Sequence, residues 1–378
     1  MIKKINKTIC GKCEAILNVS DLEPFTKFSC PGCGNELYSP ASIAHLRFDC
    51  PIRKIACFSE FDGFDAKGNL YVNIYCSDGK KCPECGIENI FRMASKEAEI
   101  LKKLSHPNIC PISGNWIIEG NFIIASPAMD GFDLSEYNPD QGLLDVELIL
   151  DILQKTAVGL AAAHNNEIPH HNICPANIHI DARGNVRIKN FFVSRFIYKY
   201  CPLNDWTHDL GDVEFYSPEK VITRQEGKEG DTFSFAILAY FLLSGRMPFN
   251  GKTREEKVLA RCENRPGEEN TYKKPAPLSE IRDNFPESIS KILSKILLPT
   301  PSSRATLADF ISSVNSYKAN TEKDRIYETQ WEMVAGNTDT KPIPRLEKIG
   351  LSGADIKKQE DSLSFSIKSL FAQKKEKK

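Results

Sequence analysis

Thirteen cysteines stand in this chain of 378 residues, at positions 10, 13, 30, 33, 50, 57, 76, 82, 85, 110, 174, 201 and 262. Nine of them fall within the first 85 residues, and three pairs have C-x-x-C spacing. The chain opens on MIKKINKTICGKC, which is positive but has no apolar stretch of signal-peptide length. The longest apolar run, Phe233 to Leu243, is too short to cross a bilayer and fits a buried helix. These features predict a cytoplasmic protein without a membrane span. In a reducing compartment, clustered C-x-x-C pairs point to metal rather than to disulfides.

Cys10-Gly11-Lys12-Cys13 and Cys30-Pro31-Gly32-Cys33-Gly34 are separated by sixteen residues. Each pair makes a tight turn that presents two thiolates, and two such turns close a four-sulfur tetrahedral site. The pattern resembles the zinc-ribbon family over residues 8 to 38. It implies one zinc held by Cys10, Cys13, Cys30 and Cys33. With no ligand position left for water, the ion would be structural. A segment of some forty residues buries too little core to fold alone, so the metal would supply folding energy. Cys82-Pro83-Glu84-Cys85 has the form of a third knuckle. Cys57 and Cys76 are its candidate partners for a second metal, against a reading as reduced cysteines on strands.

Residues from about 50 to 90 alternate as strands do, clearest in Asn69 to Tyr75. Beyond them the period becomes helical. Ile289, Ile292, Leu293, Ile296 and Leu297 mark one amphipathic helix, with Pro286 at its first turn and Pro299 past its end. Val146, Ile149, Ile152, Leu153, Leu160 and Ala161 mark a longer one with Asp145 as N-cap. A third is expected from about Met93 to Leu104. Basic and acidic residues nearly cancel, 49 against 50, so no global field favours nucleic acid or membrane. Past residue 318 the chain turns polar, and Lys341 to Lys378 is Lys-rich.

From residue 91 a series of motifs follows one order. Lys96 to Ile109 places Glu97 nine residues before His106. Phe122 to Leu134 has the form of a strand and hinge, with Ser126 as gatekeeper and Pro127 to Met129 in the hinge. His170-His171-Asn172-Ile173-Cys174-Pro175-Ala176-Asn177 is followed by Asn190-Phe191-Phe192, then Ser217-Pro218-Glu219, then Asp231, and finally Arg304. The order resembles the eukaryotic-type protein kinase family, through Tyr317. The resemblance implies an α+β, bilobal protein-kinase-like fold preceded by a small zinc ribbon. The expected units are a ribbon at 1–42, a kinase-like domain at 48–317 and a flexible tail at 318–378. His170, Phe191, Glu219, Asp231 and Arg304 are then supports of the fold. Asn177, Glu97, His179 and Met129 are the residues expected to touch ATP, if it binds.

The departures from the family pattern concern chemistry. The loop aspartate and the metal-holding aspartate are Asn172 and Asn190, the loop lysine is Cys174, and the arginine before the base is His171. An amide carries no charge and is no base near pH 7. Phe192 stands in place of a glycine, and His179 in place of an apolar floor residue. No G-x-G-x-x-G occurs. Asp62 to Gly68 is its nearest remnant, although a turn between strands describes it better. Counting from the turn at Ser77 to Lys80 places the strand lysine near Cys85, with Lys80 and Lys81 as substitutes. Together these changes predict a catalytically impaired kinase-like domain, a pseudokinase acting as a signalling scaffold or regulatory module on protein partners. Two alternatives stay open. One is an atypical active Ser/Thr-type protein kinase or nucleotidyl-transferase that recruits Asp181, Glu97 or Asp209. The other is a nucleic-acid adaptor working through the ribbon's lysines and its few aromatics, Phe25, Phe28 and Tyr38.

Overall fold

The computed structural model describes residues 3–55, 58–65, 68–75, 87–118, 121–127, 129, 131–181, 183–192, 194–195, 213–223, 225–262, 272–283 and 285–320. Short strands come first: β1 (Lys3–Lys4), β2 (Lys7–Ile9), β3 (Ile16–Asn18), β4 (Lys27–Ser29), β5 (Glu36–Tyr38) and β6 (Ala41–Ile43). Strands β2 with β3 and β4 with β5 form two small hairpins, each starting or ending beside a cysteine pair. The longer β7 (Leu46–Ile55), β8 (Phe58–Asp65) and β9 (Gly68–Tyr75) follow, then helix α1 (Ile87–Lys102), β10 (Gly114–Ile118) and β11 (Asn121–Pro127). These build an antiparallel sheet of order β1-β6-β7-β8-β9-β11-β10. The boundary expected between residues 42 and 48 falls inside the β6–β7 hairpin, where Ala41 pairs with Phe48.

Helix α1 begins earlier than expected, at Ile87, and closes at Lys102, with Ala94, Ala98 and Leu101 on its buried face. The reading of Asp62 to Gly68 as a link between two strands holds, and the expectation about the strand lysine changes. Asp62 to Asp65 lie within β8, paired to β9 from Gly68 onward, so this stretch is a hairpin. The strand beside β11 is β9, in register Ala125 with Val72 and Ser126 with Tyr71. A strand lysine facing the hinge strand would have to lie in residues 68–75, which contain none. Cys85 is ten residues past the end of that strand, because counting from a turn cannot fix a register that cross-strand pairing decides. Lys80 and Lys81 lie outside the described residues.

The C-terminal half is helical. Helix α2 (Val146–His164) is capped by Asp145, whose Oδ1 accepts the Glu147 N–H at 2.9 Å. A three-stranded sheet of β12 (Phe132–Asp133), β13 (Ile178–Ile180) and β14 (Val186–Ile188) joins it to the hinge. Gly131, at φ +115°, lies so close to Ile180 that any Cβ would strike the strand's carbonyl. Then come α3 (Pro218–Thr223), α4 (Lys228–Ser244), α5 (Arg254–Leu259), α6 (Leu278–Ile281), α7 (Glu287–Ile296) and α8 (Leu307–Asn320). The apolar run Phe233 to Leu243 is the body of α4, and all but Phe241 of it is buried against the surrounding helices. Among the described residues no helix is long and apolar enough to cross a membrane.

Candidate active site and cysteine cluster

The four sulfurs of Cys10, Cys13, Cys30 and Cys33 lie within 4.8 Å of one another. Cys10 to Cys33 and Cys13 to Cys30 are each 3.6 Å apart. A tetrahedron of Zn–S bonds near 2.3 Å has edges of about 3.8 Å, so the donor set fits zinc in kind and in size. The two turns repeat each other. Glu14 N–H donates to Cys10 O, Gly34 N–H donates to Cys30 O, and both residues take positive φ, 59° and 72°. Cys57, Cys76, Cys82 and Cys85, the candidates for a second metal, lie outside the described residues. Of the few aromatics weighed for a stacking surface, Phe25 packs on Phe61 at 4.4 Å and Phe28 packs against the small core of Cys10, Leu17 and Cys30.

In the helical half one carboxylate organises the loop that carries Asn172. Asp231, from the first turn of α4, accepts the His170 and His171 backbone N–H groups and the His164 ring at 2.9 Å. Burial alone would raise its pKa, but the bond from His164 and the neighbouring histidine charges hold it well below the usual carboxylate range. Lys220 donates to the His171 carbonyl and pairs with Glu226 at 3.2 Å, tying α3 to the same loop. Arg304 donates to both Glu219 oxygens at 2.7 Å and to three backbone carbonyls, which uses all five of its N–H groups.

His170 is wholly buried, edge-on to Phe191 at 4.5 Å. Its Nδ1 accepts the Asn172 N–H at 3.1 Å and its Nε2 faces the Lys189 carbonyl at 2.7 Å, so the partners assign a neutral ring with Nε2 protonated. Burial pushes its pKa down to about 4. The unfolded chain, with an ordinary histidine near 6.5, binds the proton first. This group's contribution is therefore complete above pH 6.5 and is lost as pH falls through the window to 4. The linkage amounts to about 3 kcal/mol over that window. Urea midpoints read between pH 7 and pH 4 should fall accordingly, and His170→Phe should flatten that limb.

Two side-chain amides and one backbone carbonyl meet at the loop. Asn177 Nδ2 donates to the Asn172 carbonyl at 2.8 Å, and Asn190 Nδ2 donates to Asn177 Oδ1 at 2.9 Å. Asn190 and His171 take positive φ, 62° and 68°, which turns both segments toward each other. Cys174 lies beneath, its sulfur 3.5 Å from Asn177 Nδ2. Phe192, in the place of glycine, stacks on Phe122 at 5.2 Å and helps wall a cavity of about 30 Å³ behind Ser126. Of the three carboxylates considered as replacements, Asp181 and Glu97 have other partners. Asp181 closes its own turn through the Arg183 and Asn185 N–H groups. Glu97, buried on α1, pairs with Arg195, whose Nη1 also holds the Pro169 carbonyl at 2.7 Å. Asp209 lies outside the described residues.

One group was missed. Asp133 pairs with His179 across β12 and β13, and its two oxygens meet His179 Nδ1 at 2.9 Å and Lys189 Nζ at 2.6 Å. Burial raises the Asp133 pKa, but these partners outweigh it and hold it low. One face of this sheet is thus Ile178, Ile180, Val186 and Ile188 in the core, and the other is Asp133, His179, Arg187 and Lys189. Met129, half-buried, links β11 to this sheet.

Residues 79–314, well over half of the chain, match the model of the protein kinase domain. The chain belongs to the protein kinase family. It is 26% identical over 268 residues to serine/threonine-protein kinase PrkC of Bacillus subtilis (strain 168), covering 71% of this chain and 40% of that protein. It is 23% identical over 264 residues to a probable serine/threonine-protein kinase of Clostridium perfringens, covering 67% and 37%. A third relative is the probable serine/threonine-protein kinase PknB of Lactococcus lactis, 26% identical over 156 residues, with 41% and 25% covered. The chain spans well under half the length of these relatives. They are named as kinases, which overturns the expectation of a catalytically impaired scaffold. That expectation rested on the residue types at Asn172, Cys174 and Asn190 alone.

Proposed function

We propose that the chain is an atypical Ser/Thr-type protein phosphotransferase whose catalytic loop is lined by amides, on a lobe stiffened by one zinc. The observation that carries the reading is the bonded series from the Asn172 backbone carbonyl through the Asn177 amide to the Asn190 amide, on a loop held by Asp231 and Lys220. The relatives' names support the reaction class. The donor set does not fit a protein-held Mg²⁺, because that ion favours carboxylates and phosphate oxygens and this site offers neutral amides. The same change removes two negative charges that would repel bare phosphates. Asn190 Nδ2 has one N–H left to donate to a phosphate oxygen, and Asn177, whose own two are taken by the Asn172 carbonyl and the Cys174 sulfur, holds Asn190 in place. The acceptor hydroxyl oxygen then bonds to the γ-phosphorus, the bond to the β-phosphate oxygen breaks, and the hydroxyl proton leaves to solvent.

Nucleotide affinity should therefore not require divalent metal. Thermal shift with ATP, read with Mg²⁺ and again with a chelator of Mg²⁺ that leaves thiolate-bound zinc in place, should give similar midpoints for the whole chain. Asn177→Ala should abolish the shift in both. A shift seen only with Mg²⁺, or none at all, contradicts the proposal.

The zinc reading rests on the four sulfurs and their spacing. Protein purified without added zinc should carry at least one equivalent. Cys30→Ser should lower that number and unfold residues 3–42, since the ribbon's buried core is little more than Cys10, Leu17 and Cys30. A metal-free ribbon that stays folded would end this reading.

A further inference from the structure

The cation that meets Glu97 does not come from β9, whose residues include neither lysine nor arginine. Arg195 supplies it, five residues beyond Asn190. Its Nε donates to Glu97 Oε1, and its Nη1 donates to the Pro169 carbonyl at 2.7 Å. Glu97 belongs to α1, and Pro169 immediately precedes His170 on the loop that carries Asn172. The Arg195 and Glu97 side chains are 9% and 11% exposed, so the pair lies where water barely reaches.

The bonds around Asn190 form a closed ring. His170 Nε2 donates to the carbonyl of Lys189, the residue before Asn190, and Lys189 N–H donates to the Asn177 carbonyl at 2.8 Å. Ser194 N–H donates to the Asn190 carbonyl at 2.9 Å, closing one helical turn that leads directly into Arg195. Arg195 then returns to Pro169, beside His170. Within this ring Asn190 takes φ 62°, a left-handed conformation that persists in a non-glycine residue only where the surroundings hold it. The rings of Phe191 and Phe192 pack on His170 and Phe122. Those apolar contacts fix where the segment lies. The guanidinium adds direction, because it is planar and its donors leave at fixed angles.

A buried ion pair is weak ground for stability. Desolvation offsets much of the attraction, and apolar residues of similar volume serve as well. What this pair supplies, and two apolar side chains would not, is the orientation of the turn that starts at Asn190. We infer that Arg195, set by Glu97, is a positioning residue for nucleotide. It holds the Asn190 amide in the orientation that donates to a phosphate oxygen, and it joins α1 to the catalytic loop. This inference rests on the reading of Asn190 as a phosphate donor given above, and the experiment separates the two.

ATP affinity is measured by calorimetry on the full chain, at a temperature where circular dichroism shows each variant folded, with melting temperatures read alongside. Arg195→Met leaves the buried Glu97 carboxylate without the guanidinium, so melting temperature and affinity should both fall. Glu97→Met together with Arg195→Met removes both charges and should recover the melting temperature. Affinity in this double variant should stay roughly tenfold below that of the unmodified protein, about the worth of one hydrogen bond to a charged group. A pair that only stabilised the fold would give the affinity back with the melting temperature. Asn190→Ala should cost a similar factor in the unmodified protein and little more in the double variant, because residues that act as one unit are not additive. Double-variant affinity equal to that of the unmodified protein, or an Asn190→Ala loss of the same size in both backgrounds, overturns the inference and leaves the reading of Asn190 standing. An unmodified protein that binds no ATP, or binds it no better than Asn190→Ala does, removes that reading and the inference with it.

Discussion

Replacing Arg304 with alanine is expected to cost about 3–5 kcal/mol of stability. The side chain is 2% exposed and Glu219 is 15% exposed. Removing the guanidinium leaves the Glu219 carboxylate without its two bonds in a place that water barely reaches. It also strips donors from the carbonyls of Leu298, Pro299 and Glu229, which join α7, α8 and α4. The Phe233 ring, 4.7 Å below the guanidinium, loses its cover as well. A denaturant titration of the whole chain should show the midpoint moving by that amount. Removing both charges at once, with Glu219→Met in addition, should recover part of the loss, because an unpaired buried charge is worse than none. A loss under about 1 kcal/mol for the single change would mean that the pair is an ordinary surface bridge.

The second large effect concerns rate. Asn172→Asp should raise phosphate transfer by about 10²-fold or more, since positioned base catalysis is typically worth ~10²–10⁴. The backbone of residue 172 is held on both sides, by His170 Nδ1 at its N–H and by Asn177 Nδ2 at its carbonyl. The new carboxylate would therefore stand where the amide stands, without moving the loop. The pH profile of the variant should gain an acid limb that the unmodified protein lacks. Nucleotide should bind less tightly, since the added charge repels phosphate, so the rate and the apparent affinity should move in opposite directions. Initial rates with a Ser/Thr peptide across pH settle this. An unchanged rate with an unchanged profile would show that residue 172 lies away from the acceptor.

Much of the helical half was legible because its signals are local or come in fixed order. The periodicity of Ile289 to Leu297 and the cap at Asp145 need only neighbours along the chain. The cysteine site was legible because C-x-x-C spacing is itself a turn geometry. Other features depend on partners far away in sequence. Glu97 meets Arg195 across nearly a hundred residues, and nothing in either stretch announces the pairing. The strand register that moves the missing lysine back to residues 68–75 is set by β11, not by the turn used for counting. The strands that join the cysteine-bearing segment to the larger sheet, β1 and β6, are two and three residues long, too short for alternation to show. The Asp133, His179 and Lys189 group had a usable signal. Ile178-His179-Ile180 and Val186-Arg187-Ile188-Lys189 alternate with period two, which puts the polar residues on one face.

The most direct test of the account is transfer of the γ-phosphate of ATP by the unmodified, zinc-loaded protein to a Ser/Thr substrate, beside Asn177→Ala. The account predicts transfer above background that persists when Mg²⁺ is chelated and disappears in Asn177→Ala. No transfer from the folded protein under either condition, or transfer that Asn177→Ala leaves intact, would contradict it.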